Sequence, residues 1–152
     1  MNWTAIALTN LTDGSVVGVV ASLQAQATAA GQSDPWSRFA QQITDELRDS
    51  IGFSGKYVLD ADGTKIPAGL LDLAVKKILR EMSKSIQRPL SQDERDDEKL
   101  YQQRLDQIRL GNWPIKPPDN PLPANTPAVQ DSVPVPAIAR MRHRRFGRQE
   151  GI

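Results

Sequence analysis

The most regular apolar pattern in the chain runs from Trp36 to Ile51. Trp36, Phe39, Ile43, Leu47 and Ile51 recur at spacings of three, four, four and four, which is a single stripe on a helix. Gln41, Gln42, Asp45, Glu46, Arg48 and Asp49 fall mostly off that stripe. Ser33-Asp34-Pro35 ahead of it is a start signal, with Asp34 as N-cap and Pro35 at the first helical position. Gly52 is the predicted stop.

Upstream, Leu8 to Leu11 leads into Thr12-Asp13, either of which suits an N-cap. Val16, Val17, Val19, Val20 and Leu23 follow, then an alanine-rich stretch to Ala30, with Gly31 placed to end it. The β-branched start leaves a strand open, but the length and the alanines favour helix. Downstream of Gly52, Lys56-Tyr57-Val58-Leu59 and Thr64-Lys65-Ile66 flank Asp60-Ala61-Asp62-Gly63. Asp-Gly between apolar runs predicts a hairpin turn, because glycine accepts the positive φ such turns need.

Pro67 opens a third helical pattern. Leu70, Leu71, Ala74, Ile78, Leu79, Met82 and Ile86 form its stripe, Lys76, Lys77, Arg80 and Lys84 lie off it, and Pro89 closes it. Ser91 and Glu94 have the spacing of a capping box. Acidic Asp93, Glu94, Asp96 and Asp97 then suit the positive end of a helix dipole. Leu100, Tyr101, Leu105 and Ile108 make the apolar face of this fourth element, which Gly111 ends. The predicted fold class is therefore mainly α: a small bundle of about four helices with a short β-hairpin and a long extended C-terminal tail.

Composition divides the chain at the same point. Residues 1–111 hold three of the eleven prolines and residues 112–152 the other eight. The first part carries 13 Lys and Arg against 15 Asp and Glu, a net of −2. The second carries 6 against 3, a net of +3, with five arginines between Arg140 and Arg148. The expected organisation is a helical body over 1–111 and a proline-rich arm with a basic tip over 112–152. Proline forbids helix in that arm and favours extended backbone.

Apolar residues are interspersed there: Trp113, Ile115, Val133, Val135, Ile138 and Phe146 among them. A plain linker would be richer in Gly and Ser. Val133-Pro134-Val135-Pro136-Ala137-Ile138 reads as an extended segment able to join a sheet edge or lie in a partner's groove. Arg140, Arg142, Arg144, Arg145 and Arg148 suit an acidic protein surface or nucleic-acid phosphates, or simply a solubilising terminus. The tail residues assigned to partner binding are these apolar and arginine positions together.

Other chemistry is sparse. Asp60-x-Asp62-Gly63 resembles the start of a calcium loop, but the twelfth position, where a bidentate Glu belongs, is Leu71. The single histidine, His143, sits among arginines without ligand or base partners at usable spacing. There is no Gly-rich phosphate loop and no nucleophile elbow, and the acidic residues read as solvated helix faces. No catalytic, metal-binding or cofactor-binding residue is expected, and the chain reads as non-enzymatic. It has no cysteine, which fits a reducing compartment. Met1-Asn2-Trp3 lacks the basic start of a signal peptide, and no apolar run approaches the ~18 residues of a membrane span. A soluble protein made in the cytoplasm is the expectation, with no membrane partner.

The order of features resembles the head-to-tail connector (head-completion or adaptor) proteins of tailed bacteriophages. The likeness covers about residues 30–115. It lies in the Trp36–Ile51 helix ending Arg48-Asp49-Ser50-Ile51-Gly52, the loop and Ile66-Pro67-x-x-Leu70, the apolar helix through Leu79, and above all Tyr101-x-x-x-Leu105-x-x-Ile108-x-x-Gly111 followed by Trp113 and prolines. The arginine-tipped tail extends beyond what smaller members carry. The resemblance implies a virion structural protein at the head-tail junction, passing through the host cytoplasm during assembly. Its partners would be further copies of itself in a ring, commonly a dodecamer, the portal protein and a tail or stopper protein, with non-specific contact to DNA in the channel. The competing reading is a DNA-binding packaging or regulatory protein, of the small-terminase kind, using a helix-turn-helix or the arginine tail. A scaffold protein whose proline-rich arm recruits partners is a third, without a strict P-x-x-P repeat behind it.

Overall fold

The computed structural model of the protein describes residues 1–11 and 13–123. The fold is mainly helical. Four helices, α1 (Gly14–Ala29), α2 (Pro35–Ser54), α3 (Leu71–Ser85) and α4 (Gln92–Arg109), are joined by a two-stranded antiparallel sheet of β1 (Trp3–Ala5) and β2 (Lys65–Pro67). Helices α2 and α3 form the central pair, and α1 and α4 each pack on both of them.

Local chemistry sets the helix starts. The Asp13 carboxylate accepts from the Ser15 N–H at 2.9 Å and from its hydroxyl at 2.7 Å, which caps α1 as a helix. Asp34 accepts from the Trp36 N–H at 3.0 Å with Pro35 in the first turn of α2. At α4 the Ser91 hydroxyl accepts from the Glu94 N–H, and the Glu94 carboxylate accepts from the Ser91 N–H, closing the capping box.

The predicted α2 stripe is the backbone of the core, since Trp36, Phe39, Ile43, Leu47 and Ile51 are all buried. They meet Val20 and Leu23 of α1, Ala74, Ile78 and Met82 of α3, and Tyr101, Leu105 and Ile108 of α4.

Four expectations need correction. Helix α2 does not stop at Gly52 but continues to Ser54 and ends on Gly55, whose φ of 63° supplies the left-handed turn. A glycine inside a helix costs only ~1 kcal/mol, and Gly52 lies where the Leu59 side chain approaches the helix. Pro67 closes β2 instead of opening α3, which begins after a single 3-10 turn at Ala68–Leu70. Leu100 is exposed, so the α4 seam is Tyr101, Leu105 and Ile108 without it.

The fourth correction is the hairpin. Its turn exists: Asp60 accepts from the Asp62 N–H and Asp62 from the Thr64 N–H, two side-chain turns in succession. Its strands do not pair with each other. Lys65–Pro67 pairs instead with Trp3–Ala5, Trp3 opposite Pro67 and Ala5 opposite Lys65.

The side chain of Arg48 holds this half of the molecule together. Its guanidinium donates to the carbonyls of Asp62 at 3.0 Å, Lys65 at 2.8 Å and Asp60 at 2.8 Å. It also stands over the Trp3 ring, 5.9 Å from the centroid.

Gly111 ends α4 in the left-handed region but does not end the packing. The Trp3 indole N–H donates to the Lys116 carbonyl at 2.9 Å, and the Tyr57 hydroxyl donates to the carbonyls of Gly111 and Trp113. Ala61 N–H donates to Asn120 O at 2.8 Å, and Leu122 N–H to Leu59 O at 2.7 Å. Residues 112–122 are thus a strap across the body. Relative to a chain ending at Pro123, one ending at Gly111 should lose roughly 3–5 kcal/mol as Trp3 and several backbone partners are uncovered. Urea titration of both truncations reads this directly. In the same assay Arg48→Lys should cost about 1–3 kcal/mol, because an ammonium keeps the charge but cannot span three carbonyls.

Candidate functional site

Of the tail residues assigned to partner binding, two are described, and both turn inward. Trp113 and Ile115 are half-buried and pack against the core. The Arg104 guanidinium stacks over the Trp113 ring at 4.0 Å. Val133, Val135, Ile138, Arg140, Arg142, Arg144, Arg145, Phe146 and Arg148 lie outside the described residues. Among the described residues, three further surfaces and clusters lie on the helices.

Helix α1 offers the first. Its sixteen residues, Gly14–Ala29, include no charged side chain. Val20, Leu23 and Ala27 face the core, and Ser15, Val17, Gly18, Val19, Ser22 and Ala25 are on the outside. Val17 and Val19 are 37% and 45% exposed. An uncharged outer face is unusual in a chain where 24% of residues are charged.

The second surface is an open groove between α2 and α4, walled by Asp45, Glu46, Asp49 and Phe53, with Arg109 on the α4 side. Phe53 projects from it, 81% exposed. Single exposed apolar residues are ordinary; a phenyl ring in the wall of an acidic groove marks a place for contact. The inner wall is fixed, because the Tyr101 hydroxyl donates to Glu46 Oε2 at 2.8 Å. Burial, and then that hydrogen bond to a carboxylate, push the Tyr101 phenol well above its ordinary range.

A third constellation lies between α3 and α4. Lys77 Nζ donates to Glu98 Oε1 at 2.6 Å and lies 2.9 Å from Glu81 Oε1, while Arg80 Nε donates to Glu98 Oε2 at 2.9 Å. Lys84 reaches Glu81 Oε1 at 2.9 Å. Read from sequence, Lys77 and Arg80 fall off the apolar stripe and Glu98 on a solvated face. In the structure Lys77 and Arg80 are buried, because α4 covers that side of α3 and brings Glu98 with it. The missed signal was Lys77 and Arg80 three apart on α3, with one acidic residue at the matching height on the next helix.

Partial burial raises the carboxyls of Glu81 and Glu98, and the hydrogen bonds from the cations outweigh it, so both end below the usual range. For Lys77 burial alone would lower the ammonium, and the bonds to Glu98 and Glu81 reverse that, leaving it raised. The Arg80 Nη2 is buried with no protein partner among the described residues. These side chains are committed to one another and clamp α3 to α4. Among the described residues no group of three or more His, Cys, Asp or Glu is placed to hold a metal ion, and no helix is long and apolar enough to cross a membrane.

With this geometry in hand, the chain was compared with known proteins: no family model, no curated protein and no solved structure matches it.

Glu98→Gln should weaken the clamp by about 1–3 kcal/mol at neutral pH, a buried-pair loss discounted for the partial exposure of Glu98. The sign with pH follows from the lowered carboxyls. Their contribution is complete above the unfolded carboxylate value of ~4.3 and is lost as pH falls through their lower folded values. The stability gap between wild type and variant, measured by denaturation at a series of pH values, should therefore close on acidification below ~4.

Proposed function

We propose that this chain is a structural subunit of a head-to-tail connector in a tailed bacteriophage: one copy in a ring, twelve-fold by the resemblance, seated beneath the portal and continuing the DNA channel toward the tail. The observation that carries the reading is the α1 face. A subunit in a closed ring must offer a surface that packs on a neighbour without burying unpaired charge. The outer face of α1 carries no charged side chain.

Other features support the same assignment. The helical body, net −2 over residues 1–111, suits a channel wall along which DNA slides without being gripped. Tyr101, Leu105 and Ile108, the core of the pattern most like the connector family, are fully buried and hold α4 in the bundle. The strap carries the chain across the body, so the segment beyond it starts from a set place and is suited to reach the portal, a tail or stopper protein, or an adjacent subunit.

A DNA-reading helix-turn-helix finds less support. Five residues separate α1 from α2, sixteen separate α2 from α3 and six separate α3 from α4, whereas that motif joins its helices by a turn of about three or four.

Quantitative mass spectrometry of purified, DNA-filled particles tests the reading. A ratio to portal protein near one to one is expected, and absence from mature particles sinks it. On the isolated protein, Val17→Lys with Val19→Lys should abolish self-association in sedimentation while leaving the helical circular-dichroism signal intact. Oligomers that survive the double change would remove α1 from the interface.

A further inference from the structure

The groove between α2 and α4 has a volume of about 620 Å³ and an excess of negative charge. Asp45, Glu46 and Asp49 face one cation, Arg109, which is itself 3.9 Å from Asp106. Among the described residues neither Asp45 nor Asp49 enters an ion pair. Phe53 gives the same wall an exposed ring. What fits is a cationic segment with an aromatic or aliphatic residue among its charges.

The chain carries one such segment, Arg140-Met141-Arg142-His143-Arg144-Arg145-Phe146-Gly147-Arg148. The described chain also finishes near the C-terminal end of α2. Leu122 is hydrogen-bonded to Leu59, and a Leu59 methyl lies 3.7 Å from the Cβ position of Gly52, the residue before Phe53. The strap therefore finishes beside the Phe53 end of α2. Sixteen residues, 124–139, separate Pro123 from Arg140, and extended they span up to ~50 Å. The wall from Gln42 to Phe53 is only ~17 Å of helix. A tether of this length gives the arginine segment an effective concentration on the order of millimolar at its own groove, well above that of a free competitor.

We propose that the α2–α4 groove is the docking site for the arginine segment Arg140–Arg148 of the same chain, its guanidinium groups on Asp45, Glu46 and Asp49 and Phe146 against Phe53. Guanidinium forks match carboxylates two-by-two, and the phenyl ring desolvates the contact. Docking of this kind holds the basic tip on the body until a stronger acidic surface displaces it. It rests on the groove and the charge pattern, and does not depend on ring formation.

The absence of cysteine from residues 1–152 gives a direct test on this chain. Gln42→Cys with Gly147→Cys, treated with a short bifunctional thiol reagent in dilute solution free of nucleic acid, should yield an intramolecular link. Ser22→Cys on α1 with Gly147→Cys should not. Adding Asp45→Lys and Asp49→Lys, exposed positions whose exchange should leave the circular-dichroism spectrum unchanged, should cut the first link about five- to tenfold. Arg144→Glu with Arg145→Glu should then restore it in that background. Equal linking to both sites, a yield indifferent to the lysine exchanges, or a link formed only between copies would each overturn the proposal. So would linking that appears only when duplex DNA is added.

Discussion

One arginine, Arg48, sets the loop that follows α2 and the two-stranded sheet beside it. Arg48 projects from the flank of α2, and its fork gathers three carbonyls, those of Asp60, Asp62 and Lys65. That fixes the loop following α2 at both ends of its turn. With the loop set, Lys65–Pro67 is presented for pairing with Trp3–Ala5, and Leu59 and Ala61 are presented to Leu122 and Asn120. A two-stranded sheet is not stable alone in water. Here it is held because its buried residues, Trp3 and Ile66, join the helical core while Arg48 anchors the loop beside them. An unpaired guanidinium in that position would be costly, and unpaired loop carbonyls equally so. Each satisfies the other.

The parts of the fold that could be read from sequence are those fixed by neighbours within one or two turns. The Trp36–Ile51 stripe, the Asp34 cap and the Ser91–Glu94 box are of that kind, and the structure places them as the pattern predicts; of the two cap candidates Thr12 and Asp13, it uses Asp13. What was not legible depends on distant partners. The hairpin was misassigned because the true partner of Lys65–Pro67 is sixty residues upstream, in three residues too short to show an alternation. Trp3 was the available clue, since an indole near a chain start usually needs both a core and a hydrogen-bond acceptor; it has both, but the acceptor, Lys116, is 113 positions away.

The charged residues misled for the same reason. Periodicity assigns a side chain to one face of its own helix and says nothing of a second helix covering that face. Lys77 and Arg80 flank the α3 stripe and are buried by α4, with Glu98 supplying the counter-charge. Trp113 and Ile115 read as contact residues because a plain linker would be richer in Gly and Ser. In the structure they pack, half-buried, on their own body, where the flat Trp113 ring takes the Arg104 guanidinium. In a proline-rich segment, apolar residues announce contact without naming the surface.

The distribution of charge over the four helices then follows a simple physical division. Helix α4 is rich in charge and spends it on the α3 clamp and on exposed helix pairs such as Lys99 with Asp96. Helix α2 keeps its carboxylates for the groove, and α1 has none. A monomer with no partners would gain solubility from charge on α1 and would lose nothing by it. An uncharged face at one position and an acidic groove at another are two separate surfaces of the described body. For the docking proposed above, fixing the chain at Leu122 shortens the loop that must be closed, and closure entropy grows with loop length. The strap thus lowers the cost of holding the tip on the body, and the weakness of exposed ion pairs keeps that hold reversible.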